Sequence, residues 1–311
     1  MPLDRYAERF LGLVRVGAGG RSGELSLTDM RRTTDALASF AAQERARPVE
    51  TSDATLREGP LAIAIRIYAP RSLAERVSPA LVYFHGGGWL SGDLDSHDGL
   101  CRALADEGQC RVIAVDYRLA PEHRFPAAIE DCRAALRLIV ADAGRLSVDP
   151  KRIGVAGDSA GGNLAAGLCQ SERETAPAIA MQLLLCPVLD ALGRTPSRRE
   201  LAAGYFIEER TMARYFEHYR IEGLEPDDPR VSPLRATDLS ALPPTRIHTA
   251  EFDPLRDEAA LYAERLSEAG VDARLNVHAG MIHHFYGLGG VIPYAKIGLA
   301  AIGADIGEVL G

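Results

Sequence analysis

Two glycine-rich segments, with histidines and carboxylates downstream of them, carry the chemistry of this sequence. Gly157-Asp158-Ser159-Ala160-Gly161-Gly162 follows the short apolar run Ile153-Gly154-Val155. A serine hydroxyl is a poor nucleophile until a base takes its proton. Gly-x-Ser-x-Gly between a strand and a helix prepares such a hydroxyl. The chain turns sharply, the serine takes a strained conformation, and the flanking glycines remove side chains that would collide. The bland alternative is a glycine-rich turn holding an incidental serine. A phosphate loop fails, because no Lys-Ser or Lys-Thr follows these glycines.

The second segment, His85-Gly86-Gly87-Gly88-Trp89, follows the apolar run 80–84. Three consecutive glycines are entropically costly and make sense where the backbone itself is the functional group. Acyl transfer places negative charge on a carbonyl oxygen, and preorganised N–H donors there are worth about 3 kcal/mol each. Gly87 and Gly88 are the expected donors, with Ala160, next to the serine, as a third. His85 is expected to hold the glycine loop by hydrogen bonds rather than to react.

A base and an acid must complete the set, and on the strand–turn–helix scaffold of such serines they follow in the order Ser, acid, His. That order sorts the eight histidines. His85, His97 and His123 precede the serine, His218 falls in an irregular region and His248 in an expected strand. His278, His283 and His284 remain. The segment 280–285 is expected to be a loop after the last strand, which suits His283 or His284 better than His278. For the acid, Asp253 lies between a strand and Pro254, while Asp257 and Glu258 fall in the first turns of a helix, where acids favour the helix dipole. Asp253 is therefore preferred, with Asp257 as the fallback. Its task is to fix the imidazole tautomer and stabilise the imidazolium.

These residues need a scaffold that collects strand ends. The runs 80–84, 112–115, 153–155 and 181–185 are short and apolar, with helix-like segments at 98–106, 127–143 and 160–172 between them. Strands alternating with helices predict a parallel α/β sheet with right-handed crossovers. Residues 61–67 alternate at period two, the pattern of an antiparallel strand with one covered face. The pattern resumes as strand 246–249, helix 254–269, strand 273–277 and a helix from about 293, after a proline-rich insertion. Helices over 3–14 and 28–45 precede the sheet.

With 311 residues, 47% of them apolar and 25% charged, the chain has the makeup of a globular protein with a large core. Its net charge of −8 repels phosphate backbones and anionic membranes, so neither nucleic acid binding nor membrane insertion is expected. Cys101, Cys110, Cys132, Cys169 and Cys186 are odd in number and scattered. Free buried thiols are expected rather than disulfides or a metal site. No apolar leader marks the N-terminus, so cytoplasmic residence is the default expectation.

The glycine loop and elbow, with Asp116-Tyr117-Arg118-Leu119-Ala120-Pro121-Glu122-His123, Phe125-Pro126-Ala127 and Asp253-Pro254-Leu255-Arg256-Asp257-Glu258, resemble the hormone-sensitive lipase family of bacterial carboxylesterases over about residues 80–286. The resemblance implies an α/β-hydrolase fold with an eight-stranded, mostly parallel sheet. It divides the chain into cap helices at 1–48, a catalytic body at 49–189 and 226–311, and a cap insertion at 190–225. It also aligns His283 with the family's triad histidine. His284 then stands where the family usually has Gly or Asp, and a tolerated substitution is the simplest account of it.

The implied reaction hydrolyses short- to medium-chain acyl esters through Ser159, His283 and Asp253, with an acyl-enzyme intermediate and no metal or organic cofactor. Trp89, Tyr205, Phe206, Tyr215, Phe216, Leu94 and Phe285 are candidates for lining the substrate pocket, with aromatic core packing as the alternative for each aromatic. Charged residues in the insertion, Arg198, Arg199, Glu208, Glu209 and Arg210, favour water-soluble esters over oil surfaces. An amidase with the same three residues and a non-catalytic small-molecule receptor are the rival functions. The final strand is an expected sheet edge, which makes a homodimer the expected protein partner.

Overall fold

The computed structural model describes every residue except 18–25, 41–46 and 173–178. Helices α1 (Arg5–Gly17) and α2 (Leu27–Phe40) come first. The stretch 41–45 of the expected second helix lies outside the described residues. Strands β1 (Val49–Glu58), β2 (Leu61–Pro70) and β3 (Ser78–Phe84) follow, then α3 (Asp98–Gly108), β4 (Arg111–Asp116), α4 (Ala127–Ala141), β5 (Val148–Asp158), α5 (Ala160–Glu172) and β6 (Met181–Leu185). Two helices in the proline-rich region, α6 (Pro196–Glu200) and α7 (Glu209–Tyr219), precede β7 (Thr245–Phe252), α8 (Arg256–Glu268), β8 (Ala273–Ile282) and α9 (Tyr294–Leu310).

The eight strands form one sheet in the order β1-β2-β4-β3-β5-β6-β7-β8. β2 runs antiparallel to β1 and β4, as its period-two pattern predicts, and the other neighbours pair in parallel. Helices cover both faces, so every residue of β3 and β6 is buried and their sequences are mostly apolar, with Ser78 and Gln182 as the polar members. One core cluster lies under α4, α5 and α8, and the other under α1, α3 and α9.

β1 has no counterpart in the expected elements. It is an edge strand with only Val49 and Leu56 buried, so its sequence is mostly polar and hides the strand. β8 is longer than expected and runs to Ile282, which puts His278 within the strand and begins the loop at His283. Both ends matter for the site. The C-terminal ends of parallel strands open on one edge of the sheet, where α/β folds hold their ligands. The glycine loop leaves β3 there, Ser159 leaves β5, Asp253 leaves β7 and His283 leaves β8.

Candidate active site

Ser159 joins β5 to α5 with a φ of 51°, a conformation that is strained for a serine. The surrounding chain pins it. Its N–H donates to the Leu185 carbonyl at 2.9 Å, and its own carbonyl accepts from Asn163 and Val188, each at 3.1 Å. A Cβ at Gly161 would collide with the Phe84 carbonyl oxygen, so close approach requires glycine there.

Asp253 is fully buried. Its Oδ1 accepts the Leu255 N–H at 2.9 Å and its Oδ2 lies 2.8 Å from His283 Nδ1. A carboxylate only accepts, so Nδ1 carries the proton and a neutral His283 has Nε2 as its basic nitrogen. His283 and Ser159 line the same cavity. Asp257 and Glu258 are engaged elsewhere. Asp257 accepts the Ser197 N–H at 2.8 Å, and Glu258 accepts the N–H groups of Leu189 and Asp190 at 2.9 and 3.0 Å. Glu258 also receives Arg198 Nε at 2.6 Å, so both acids fasten the segment around α6 onto α8.

In the glycine loop, Gly87 and Gly88 have φ of 119° and 63°. The Gly87 carbonyl accepts from Leu90 and Ser91, both at 3.1 Å, so the Gly88 N–H of the same trans peptide points the opposite way. Gly87 and Gly88 line the cavity beside Ser159. Ala160 opens α5, where first-turn N–H groups have no acceptor within the helix. His85 holds the loop, as expected. Its Nδ1 lies 2.8 Å from the Gly86 carbonyl, its own carbonyl accepts the Tyr117 hydroxyl at 2.7 Å, and its ring stacks on Tyr117. Burial, with His97 nearby, pushes the His85 pKa down to about 4.

Two cavities meet at Ser159, Gly88, Ile207 and Tyr215. The larger, about 1030 Å³, takes in His283 and His284 and is walled by Met30, Thr34 and Leu37 of α2 and by Phe206. The smaller, about 340 Å³, is lined by Trp89, Val188, Leu192, Met212 and Phe216. Trp89, Phe206, Tyr215 and Phe216 therefore sit at the cleft, as expected of pocket residues. Tyr205 and Phe285 line neither cavity. Tyr205 stacks on Phe252 at 5.5 Å, and Phe285 is buried against His278 at 4.6 Å. The positive φ of His284, 61°, reverses the chain direction and turns Phe285 into the core under α9. The α2 residues carry no motif, so nothing local in the chain singles them out as cavity lining. Cys186, Asp253 and His283 have potential metal-ligand atoms within 4.8 Å of one another, with Asp253 and His283 already bonded to each other.

Comparison with known proteins agrees with this architecture. The model of the alpha/beta hydrolase fold family matches residues 81–287. Carboxylesterase NlhH of Mycobacterium tuberculosis is 42% identical over 249 residues, 77% of each chain. Ethyl acetate hydrolase of Pseudomonas putida is 38% identical over 284 residues, 89% of each chain. An ester hydrolase from the metagenome of Lake Arreo, solved with a bipyridine phosphonate derivative, superposes with a TM-score of 0.94 at 36% identity, covering 98% of both chains. A hyperthermophilic esterase from Pyrobaculum calidifontis gives 0.90 at 35% identity over 99% of both. The chain belongs to the α/β-hydrolase family, in its hormone-sensitive lipase-like branch. It is a carboxylic ester hydrolase. No helix among the described residues is long and apolar enough to cross a membrane.

Proposed function

We propose that the chain is a serine carboxylesterase acting on short- to medium-chain acyl esters through Ser159, His283 and Asp253. His283 Nε2 takes the Ser159 proton as the hydroxyl attacks the ester carbonyl. The N–H groups of Gly87, Gly88 and Ala160 hold the oxyanion. His283 then protonates the departing alcohol, and Ser159 keeps the acyl group. Water, deprotonated by the same imidazole, attacks the acyl-enzyme and releases the acid. The observation that carries this reading is the His283–Asp253 bond of 2.8 Å, on a ring that shares its cavity with a strained Ser159.

The two cavities support the substrate range. The alcohol leaves with a proton from His283, so it belongs in the larger cavity, which contains that ring. The acyl chain then enters the smaller one, about 340 Å³ and walled by Met212, Tyr215 and Phe216, which suits chains of short to medium length. Residues of α2 and α7 wall this cleft, in keeping with a cap formed by 1–48 and 190–225 over a catalytic body of 49–189 and 226–311. Five buried free thiols fit a reducing cytoplasm. The edge strand β8, with Val277 exposed, is where two copies would pair.

Ser159→Ala is expected to lower kcat by about 10⁴-fold or more on p-nitrophenyl butyrate. Activity within tenfold of wild type would overturn the assignment. A p-nitrophenyl ester series from acetate to palmitate should peak at the short to medium chains, and a peak at palmitate would overturn the acyl-pocket reading.

A further inference from the structure

Asp158, directly before Ser159, is wholly buried and takes no part in the reaction above. Its carboxylate gathers four donors. Oδ1 accepts the Tyr83 hydroxyl at 2.5 Å and the Gly86 N–H at 2.8 Å, with His97 Nε2 at 3.4 Å. Oδ2 lies 3.2 Å from His284 Nδ1. Burial alone would raise the pKa of this carboxyl, but His97 and His284 outweigh it and hold Asp158 well below the usual carboxylate range. Asp158 is therefore an anion that needs its donors.

Those donors come from separate parts of the site. Gly86 belongs to the glycine loop, and His284 adjoins His283 at the end of β8. The strand order β5-β6-β7-β8 puts two strands between the nucleophile and the base. Three strand spacings are roughly 14 Å, so the register of these two groups depends on contacts made across the strand ends, among them Tyr286, whose hydroxyl donates at 3.2 Å to the Leu185 carbonyl that also holds the Ser159 N–H. The bond from His283 to Asp253 reaches only as far as β7. The bond from His284 to Asp158 spans the whole distance.

The His284 backbone is shaped for that bond. Its φ and ψ of 61° and 18° are left-handed, a conformation uncommon outside glycine that histidine adopts more readily than most side chains. The imidazole is enclosed by Tyr286 at 5.1 Å and His97 at 5.9 Å, and a Cβ on Gly287 would collide with it.

We propose that His284 is a positioning residue: its bond to Asp158 ties the end of β8 to the nucleophile elbow and fixes the His283 ring relative to Ser159. One buried carboxylate thus sets the mutual register of nucleophile, base and glycine loop. A misplacement of about 1 Å in such a site costs roughly 10²-fold in rate. This inference rests on the triad proposed above.

The test compares His284→Asn with His284→Gly. Both residues adopt the left-handed conformation readily, but only asparagine can donate to Asp158 from near the position of Nδ1. Both variants are assayed for kcat and KM on p-nitrophenyl butyrate and for the rate of Ser159 labelling by a p-nitrophenyl phosphonate. The asparagine variant should stay within threefold of wild type. The glycine variant should lose ten- to a hundredfold in kcat and in labelling rate, with KM within threefold. A glycine variant at wild-type kcat, or an asparagine variant as impaired as glycine, would overturn the proposal. If glycine prevents folding, His284→Asp serves instead: it has the shape of asparagine but, ionised, repels Asp158. Equal kcat for Asp and Asn would then overturn it. Full activity in Ser159→Ala breaks the triad itself, whereas an inactive Ser159→Ala beside an unimpaired glycine variant breaks only this tether.

Discussion

Two histidine–carboxylate pairs, one joining the ends of β7 and β8 and one joining β7 to α9, have nearly the same bond length. His283 meets Asp253 at 2.8 Å and His248 meets Asp305 at 2.9 Å. Their surroundings differ. His283 gives one nitrogen to the acid and shares a cavity with Ser159. His248 has both nitrogens engaged, since its Nδ1 lies 3.0 Å from His278 Nε2. His278 continues to the Tyr294 hydroxyl at 3.3 Å, and Asn276 also donates to Asp305 at 3.0 Å. The second pair is a closed network that joins α9 to the sheet. A histidine bonded to an acid is thus not a site by itself; what distinguishes the first pair is an open cavity and a neighbouring nucleophile.

The sharpest way to break this comparison is to remove each histidine's role in turn. His283→Ala is expected to lower kcat by about 10⁴-fold, an effect far larger than the loss of a few degrees in melting temperature from leaving the buried Asp253 one donor short. Steady-state kinetics with thermal unfolding measures both effects, and a loss under tenfold would put the two pairs on equal terms. Asp305→Ala should do the reverse. It leaves the buried His248 without its acceptor, at about 1–3 kcal/mol, so the melting temperature should fall by several degrees while kcat stays within threefold. A thirtyfold loss of kcat would show that the closed network feeds the reaction.

A gradual effect is expected on pH dependence. Burial drives His278 down to about 4, helped by His248, and His85 down to about 4 as well. Unfolded, both would titrate near 6.5. As pH falls, the unfolded chain therefore takes up protons first. Stability is full above about pH 6.5 and declines toward pH 4, by on the order of 1–2 kcal/mol per histidine at pH 5. Urea unfolding at pH 7, 6 and 5 reads this directly, and a flat profile would mean that these rings are not held neutral.

Much of this was legible before any coordinates. The glycines around Ser159 and after β3 announce backbone geometry, and geometry of that kind is local. The apolar runs announce strands buried on both faces. β1 was not legible, because an edge strand facing water has no apolar pattern to show. For Phe285 the sequence leaves pocket and core both open, and it lies in the core because one left-handed residue, His284, turns it there. The partner of His284 is not legible, since nothing near it in the chain points to Asp158, 126 positions away.

By itself the sequence determined the parallel sheet, the sharp turn at Ser159 and the side-chain-free backbone of the glycine loop, because each depends on residues a few positions apart. Only the tertiary structure decided which of the cavity's histidines meets Asp253, which acids are engaged elsewhere and how the cleft divides into two unequal pockets. Those outcomes depend on where the ends of β3, β5, β7 and β8 come together, and that placement is set by the packing of helices on both faces of the sheet rather than by any local run of residues.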